Sequence, residues 1–270
     1  MVTERIYLYD GNEDVYLDVY APEKFGTLVR DALLIFPGGG YSGLCANREG
    51  EQVAHAFLPY GFNAFVLHYT VKEKAVFPRQ LIEASLAMKY IKDNAERLGH
   101  SADRVFVTGF SAGGHLCAAL GTLWHSDEIQ SAIDAPFGCN RPAGIIPVYP
   151  VVSSNPEFSH KGSFDNMLGA EADDETRKKY SVELYVDERS APAFIVHTAA
   201  DDCVSVRNSI ALADAYAKAK VPFEVHIFEK CDHGMGLANE ITAWSPGIIN
   251  PHNARWVSLA AGWGKDLKTD

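Results

Sequence analysis

The chain has 270 residues, 47% of them hydrophobic and 22% charged, which is the composition of a globular protein with an apolar core. A formal net charge of −11 opposes binding to nucleic acid or to anionic membranes. Five cysteines without paired spacing indicate neither a disulfide framework nor a zinc site, and the early mixed charges indicate neither a signal peptide nor a membrane anchor. We therefore expect a cytoplasmic protein without metal or cofactor.

Two segments near the start, residues 5–9 and 14–20, alternate apolar and polar side chains, and Gly11-Asn12 supplies a turn between them. This alternation predicts an antiparallel pair of strands with one solvent-facing side. Short continuous apolar runs follow, which predict strands buried on both faces. These runs cover residues 32–36, 63–67, 105–107, 145–148 and 193–196. Pro147 weakens the fourth prediction, because proline fits poorly in a central strand.

Helical periodicity separates these runs, most clearly over residues 80–98, where Gly99 can end the helix. Similar segments cover residues 114–123, 205–219 and 253–267. The alternation predicts a single α/β domain over residues 1–270, with a mostly parallel sheet, an antiparallel N-terminal edge and helices on both faces. Residues 153–189 break the rhythm and predict a small lid-like excursion with a short helix near Asp173–Leu184, or else a surface excursion that shapes nothing.

A Gly-x-Ser-x-Gly pentapeptide stands between an apolar run and a predicted helix. It reads Gly-Phe-Ser-Ala-Gly at residues 109–113. This order, in which the pentapeptide joins a strand to a helix, is typical of a nucleophile elbow. The turn of such an elbow is so tight that the residues flanking the serine must be small. Ser111 is therefore the candidate nucleophile.

Serine needs a neighbouring base, and the base needs an orienting carboxylate. In α/β-hydrolases these partners follow the serine, with the carboxylate before the histidine. Asp201 and Asp202 come directly after a predicted buried strand, and the residues alone give Asp201 only a slight lead. His233 is the candidate base, since it lies in a glycine-containing loop after the apolar run 223–228, whereas His226 lies inside that run.

A glycine-rich loop follows the first buried strand, with Pro-Gly-Gly-Gly-Tyr at residues 37–41. Consecutive glycines let main-chain N–H groups approach a ligand closely, and acyl transfer requires donors for the developing oxyanion. The predicted oxyanion hole combines the amides of Gly39, Gly40 and Ala112. A flexible turn is the alternative interpretation, and a phosphate loop is disfavoured because no Gly-Lys-Ser/Thr follows.

Several motifs in the same order resemble the bacterial α/β-hydrolase esterases described as acetyl xylan esterase-like, close to the BD-FAE and hormone-sensitive-lipase-like groups. They are Pro-Gly-Gly-Gly-Tyr at 37–41, Arg-Glu-Gly-Glu at 48–51, Gly-Phe-Ser-Ala-Gly-Gly-His-Leu at 109–116, His-Thr-Ala-Ala-Asp at 197–201, Val-Arg-Asn-Ser at 206–209 and Asp-His-Gly-Met-Gly-Leu at 232–237. The resemblance covers about residues 14–240. It implies an α/β-hydrolase fold with a small cap or none and a triad of Ser111, Asp201 and His233.

The resemblance also refines the choice of carboxylate. In that family a valine-proline-valine stretch begins two residues after the aspartate. Residues 204–206, Val-Ser-Val, occupy this place here, which favours Asp201 over Asp202. The serine at 205 departs from the usual proline.

By the same resemblance, the expected activity is hydrolysis of short-chain acyl esters, in particular of acetylated xylo-oligosaccharides. Tyr41 and Trp244 are candidate sugar-stacking residues, although each could equally pack on the fold. His115, one turn after Ser111, is expected to pack a helix and not to act as a second base. An aryl-formamidase or peptidase with the same triad is an alternative, as is a non-catalytic binding protein on the hydrolase fold.

Overall fold

Eight strands form one sheet in the computed structural model, which describes residues 3–72 and 76–268. Their order across the sheet is β1-β2-β4-β3-β5-β6-β7-β8. The strand bounds are Glu4–Tyr9, Asn12–Tyr20, Arg30–Phe36, Phe62–His68, His100–Phe110, Gly144–Val148, Ala193–Thr198 and Phe223–Phe228 for β1 to β8. Strands β1 and β2 pair antiparallel, β2 pairs antiparallel with β4, and the remaining pairs are parallel. The predicted mostly parallel sheet with an antiparallel N-terminal edge is confirmed.

Helices cover both faces of the sheet. The α-helices of the described residues are α1 Gln52–Phe57, α2 Arg79–Asp93, α3 Ala95–Leu98, α4 Ala112–Leu123, α5 Asp127–Ile133, α6 Lys161–Leu168, α7 Asp174–Lys179, α8 Arg207–Ala219 and α9 Trp256–Asp266. Helices α2, α4 and α8 pack into one apolar cluster, and α1 and α9 pack into the other. None of the helices within these two described ranges is long and apolar enough to cross a bilayer.

The continuous apolar run of β3 follows from this two-sided cover. Leu34 and Phe36 belong to the cluster on one face, whereas Leu33 and Ile35 belong to the cluster on the other. Because successive side chains of a strand point to opposite faces, a strand covered on both faces must be apolar at every position. The run is thus a consequence of the strand's central place in the sheet.

Pro147 does not interrupt its strand, contrary to the weakening expected from the sequence. The amides of Ile145 and Tyr149 donate to Pro192 and Val196 on the β7 side, at 2.8 and 2.6 Å. Pro147 lies between these two residues, so its missing N–H faces β7. The strand therefore loses one bond of that ladder and keeps the pairs on either side.

Two predicted helical segments differ in detail. The segment at 80–98 is divided at Asn94 into α2 and α3, and Gly99 ends it in the left-handed conformation, with φ of 75°. The excursion at 153–189 holds α6 and α7 as well as a 3₁₀ turn at Val182–Tyr185, where the sequence indicated one short helix. The periodicity of the eight-residue α6 was too short to stand out among the surrounding polar residues.

The topology brings four segments to one edge of the sheet. The glycine loop follows β3, Ser111 follows β5, Asp201 follows β7 and His233 follows β8. These four strands are parallel, so their carboxyl ends share an edge, which is where open α/β sheets bind ligands.

Candidate active site

Ser111 occupies a strained turn between β5 and α4. Its φ and ψ are 55° and −116°, which an L-residue seldom adopts. A Cβ on Gly109 would lie 2.0 Å from the carbonyl oxygen of Gly113, and one on Gly113 would lie 2.2 Å from that of Phe36. Both glycines are therefore required for the turn, and the serine is presented at the sheet edge.

The three predicted triad residues form a continuous hydrogen-bonded chain. His233 Nε2 lies 2.8 Å from Ser111 Oγ, and His233 Nδ1 lies 2.7 Å from Asp201 Oδ2. Because a carboxylate only accepts, Nδ1 donates to Asp201, which leaves Nε2 free to accept the serine proton. This is the tautomer that a general base requires.

The side chain of Asp201 is fully buried. Its Oδ1 accepts from the amides of Cys203 and Val204 at 3.0 and 2.8 Å, and its Oδ2 lies 3.3 Å from Nε2 of His197. Burial alone would raise the pKa of Asp201, but hydrogen bonds from His197 and His233 hold it well below its usual range. The neighbouring Asp202 is exposed, so the structure brings Asp201 and not Asp202 to the histidine.

The glycine loop lies against the nucleophile. A Cβ on Gly38 would lie 3.1 Å from Ser111 Cβ, and the Gly38 amide is already taken by Glu49 Oε2 at 2.9 Å. The amides of Gly39 and Gly40 donate no hydrogen bond among the described residues, and neither does that of Ala112, the first residue of α4. Gly39 and Gly40 follow Gly38 in the chain and Ala112 follows Ser111, and an oxyanion hole requires free donors of this kind.

Tyr41 is not a substrate platform, and that prediction is wrong. Its side chain is 0% exposed, and its hydroxyl donates to Nδ1 of His115 at 2.8 Å. The opposite ring nitrogen of His115 donates to the carbonyl of Tyr180 at 2.8 Å. The left-handed backbone of Tyr41, with φ of 60°, turns the ring inward at the end of the glycine loop.

His115 packs α4, as expected. Burial lowers its pKa to about 4, so it remains neutral at physiological pH. Its hydrogen bonds to Tyr41 and Tyr180 join the glycine loop to the 153–189 excursion.

Trp244 is accessible and lies beside the base. Its side chain is 57% exposed, and Nε1 donates to the carbonyl of His233 at 3.3 Å. The indole is therefore exposed to solvent and bonded to the backbone of His233.

Helix α6 of the excursion adds polar groups to the same region. His160 Nε2 lies 3.5 Å from Sγ of Cys203, and Asn166 Nδ2 donates to the carbonyl of Gly40 at 2.8 Å. Burial lowers the pKa of His160, and the nearby His233 lowers it further. Ser163 Oγ bonds His160 Nδ1 at 2.8 Å and fixes the ring.

A cavity of about 460 Å³ opens beside Gly40. Ser42, Lys72, Asp165 and Asn166 supply its polar lining. Val76, Met167 and Leu168 supply apolar lining, so the cavity presents both polar and apolar surface near the glycine loop.

Sequence reasoning missed three groups at this site. His197 precedes Asp201 in the chain, so the order carboxylate then histidine passes over it, yet it contacts Oδ2 of Asp201, the oxygen that His233 also contacts. His160 also precedes the carboxylate in the chain, and only its place in the fold brings it close to Cys203. Glu49 lies in the Arg-Glu-Gly-Glu motif at 48–51, which was noted for resemblance but given no role.

Comparison with known proteins adds to this geometry. The BD-FAE family model matches residues 17–216. Endo-1,4-beta-xylanase B of Butyrivibrio fibrisolvens is 33% identical over 90% of the chain, and an acetylxylan esterase of Xylanibacter ruminicola is 30% identical over 76%. The chain spans 39% and 41% of the length of these two relatives.

A solved structure has nearly the same extent. The acetyl ester-xyloside bifunctional hydrolase of Caldicellulosiruptor lactoaceticus is 31% identical, with a TM-score of 0.83 over 97% of this chain and 95% of that one. The resemblance and the α/β-hydrolase fold that the motifs implied are confirmed.

Proposed function

Because the chain belongs to the BD-FAE family, we propose that it is a serine carboxylic-ester hydrolase that works through an acyl-enzyme. The observation that carries this proposal is the hydrogen-bonded chain from Ser111 Oγ through His233 to Asp201, with distances of 2.8 and 2.7 Å. A binding protein on the same fold would need neither these hydrogen bonds between Ser111, His233 and Asp201 nor the strained backbone of the serine.

Acylation begins when His233 Nε2 takes the Ser111 proton and Oγ attacks the ester carbonyl carbon. The carbonyl π electrons move to oxygen, and the amides of Gly39, Gly40 and Ala112 stabilise the oxyanion. Asp201 holds the imidazolium that forms. As the oxyanion collapses, the bond to the alcohol oxygen breaks and His233 gives that oxygen its proton.

Deacylation repeats these steps with water. His233 takes a proton from water, and the oxygen attacks the acyl carbon bound to Ser111. The bond to Oγ then breaks, and the imidazolium returns the proton to the serine. The products are a free acid and an intact serine.

The proposed substrates are acetylated xylo-oligosaccharides or similar acetylated sugars. The polar side chains at α6, Asn166 beside Gly40 and His160 with Ser163, support a hydroxylated alcohol portion. The 153–189 excursion acts in this proposal as a wall of the alcohol site, within a single catalytic domain. The names of two relatives, an acetylxylan esterase and an acetyl ester-xyloside hydrolase, agree with this substrate class.

A substrate panel tests this specificity. We expect the purified protein to release acetate from acetylated xylo-oligosaccharides, and to hydrolyse 4-nitrophenyl acetate faster than the butyrate and longer esters. The panel also contains an aminoacyl amide and N-formylkynurenine, measured by kcat/KM. Preference for either amide would replace the esterase proposal with a peptidase or an aryl-formamidase.

Trp244→Ala should separate sugar binding from chemistry. The loss of a stacking face is expected to raise KM for the acetylated oligosaccharide about tenfold and to leave turnover of 4-nitrophenyl acetate unchanged. Phe137→Ala is the control, since Phe137 is also an exposed aromatic but packs on Trp124, at the far end of α4. Equal KM values in the two variants would remove Trp244 from the substrate site.

A further inference from the structure

Glu49 is a buried carboxylate that the proposed mechanism does not use. It lies in the π-helical turn Asn47–Glu51, which residues 42–46 separate from the glycine loop, and is 2% exposed. Burial of a carboxylate is unfavourable unless its oxygens are hydrogen-bonded. The bonds of Glu49 are therefore informative about its role.

Its two oxygens contact two different parts of the site. Oε2 accepts from the amide of Gly38 at 2.9 Å, and Oε1 accepts from the hydroxyl of Tyr149 at 3.0 Å. The Gly38 bond fixes the start of the loop that holds Gly39 and Gly40. A Cβ at Gly38 would itself lie 2.6 Å from Oε2, so only glycine permits this approach.

Tyr149 carries the connection to the base. Its hydroxyl accepts from the amide of Gly236 at 3.0 Å, three residues after His233. Its ring stands edge-on to the imidazole of His233, with centroids 5.0 Å apart. The backbone before it is tied to the nucleophile, because the Ser111 amide donates to the carbonyl of Val148 at 3.1 Å.

We propose that Glu49 is a positioning residue that sets the oxyanion loop and the His233 loop at a fixed spacing, with Tyr149 as the bridge. Glu49 touches no reacting atom. It acts through the amides of the glycine loop on one side and through the loop of residues 233–236 on the other. The proposal rests on the proposed serine hydrolase function.

The charged and titratable groups around Glu49 are compatible with this role. Arg48 Nη2 lies 3.6 Å from Oε1 and compensates part of the buried charge. The nearby carboxylate also contributes to the raised pKa values of Tyr69, Tyr149 and Cys45, although burial is the larger cause for each. Tyr149 therefore keeps its proton and remains a donor to Glu49.

The test compares Glu49→Gln with Glu83→Gln. Glu83 is 0% exposed and accepts the same kinds of bond, from the amide and hydroxyl of Thr70 and from Nε of Arg79. It is a matched control for the loss of a buried carboxylate. We expect Glu49→Gln to lower kcat for 4-nitrophenyl acetate about 10²-fold with little change in KM, because an oxyanion donor displaced by about 1 Å serves the transition state poorly.

Unfolding temperature and labelling by a fluorophosphonate are measured on both variants. The two substitutions should lower the unfolding temperature similarly, whereas only Glu49→Gln should slow labelling of Ser111, whose phosphonyl oxygen enters the oxyanion hole. Wild-type kcat and labelling in Glu49→Gln would overturn the proposal.

Tyr149→Phe tests the bridge. It keeps the ring beside His233 and removes the hydroxyl between Glu49 and Gly236. We expect a loss of kcat similar to that of Glu49→Gln, and a double variant no worse than either single one, because residues that act as one unit are non-additive. A double variant whose loss is the product of the two would overturn the bridge.

Failure of the proposed function is distinguishable from failure of this inference. A wild type without ester hydrolysis, or full activity in Ser111→Ala, would overturn both. An active wild type and an inactive Ser111→Ala, together with equal kcat in Glu49→Gln and Glu83→Gln, would overturn the positioning role alone.

Discussion

Ser111→Ala should lower kcat toward 4-nitrophenyl acetate by about 10⁶-fold, because removing the nucleophile of a triad costs as much as removing the whole unit. The alanine fits the elbow without new contacts, so the fold and the unfolding temperature should be retained. Initial rates at saturating substrate measure the effect. Circular dichroism of the same preparation verifies that the variant is folded.

Cys203→Ala is the control for this experiment. Cys203 is exposed, lies two residues after Asp201 and is an alternative nucleophile next to the triad in sequence. Burial and the two adjacent aspartates raise the pKa of its thiol, which disfavours the reactive thiolate. Near-normal turnover in Ser111→Ala with a large loss in Cys203→Ala would reverse the assignment of the nucleophile.

Asp201→Asn should lower kcat by about 10⁴-fold and leave KM nearly unchanged. An asparagine that donates to His233 favours the tautomer with its proton on Nε2, and that nitrogen can no longer accept from Ser111. The substitution also removes the negative charge that stabilises the imidazolium. The measurement is kcat across the pH range in which the wild type is active.

Asp202→Asn is a closely matched control, since it changes the same residue type one position along the chain. Asp202 is exposed, whereas the side chain of Asp201 is 0% exposed and bonded to His233 at 2.7 Å. We expect kcat of Asp202→Asn to remain close to that of the wild type. A larger loss in Asp202→Asn than in Asp201→Asn would exclude the geometry described above.

The sheet could be predicted because its signals are local and repetitive. A strand covered on both faces is apolar at every position, as in β3, and a strand with one wet face alternates, as in β1. The wet face predicted for β2 is wrong at its end, where Asp18 and Tyr20 are 6% and 3% exposed. Pro147 shows the limit of such rules, since its effect depends on which neighbour its missing N–H faces. The register of β6 against β7 decides that orientation, and the sequence pattern does not reveal this register.

The elbow could be predicted for a similar reason. Gly109 and Gly113 are needed for contacts within and beside one turn, so their spacing is visible in the sequence. The carboxylate could not be chosen in this way. Asp201 and Asp202 are the same residue type at adjacent positions and differ only in where their side chains point. The residues alone therefore left both open, and the resemblance favoured Asp201.

The prediction that Tyr41 stacks on a sugar was wrong, and the reason lies in the direction of its ring. An aromatic residue after a glycine loop is available to a sugar only if its ring points outward. Here the buried His115, from the helix after the elbow, accepts a hydrogen bond from its hydroxyl. Glu49 was missed for the same reason, because its partners Gly38 and Tyr149 are 11 and 100 residues away.

The most direct test of the central claim is the location of the covalent adduct that a fluorophosphonate forms with the protein. Peptide mapping by mass spectrometry should find one phosphonyl group per chain, on the peptide that contains Ser111, and none in Ser111→Ala. Ester hydrolysis that continues without an adduct at Ser111, or with the adduct on another residue, would contradict a serine hydrolase centred on this elbow.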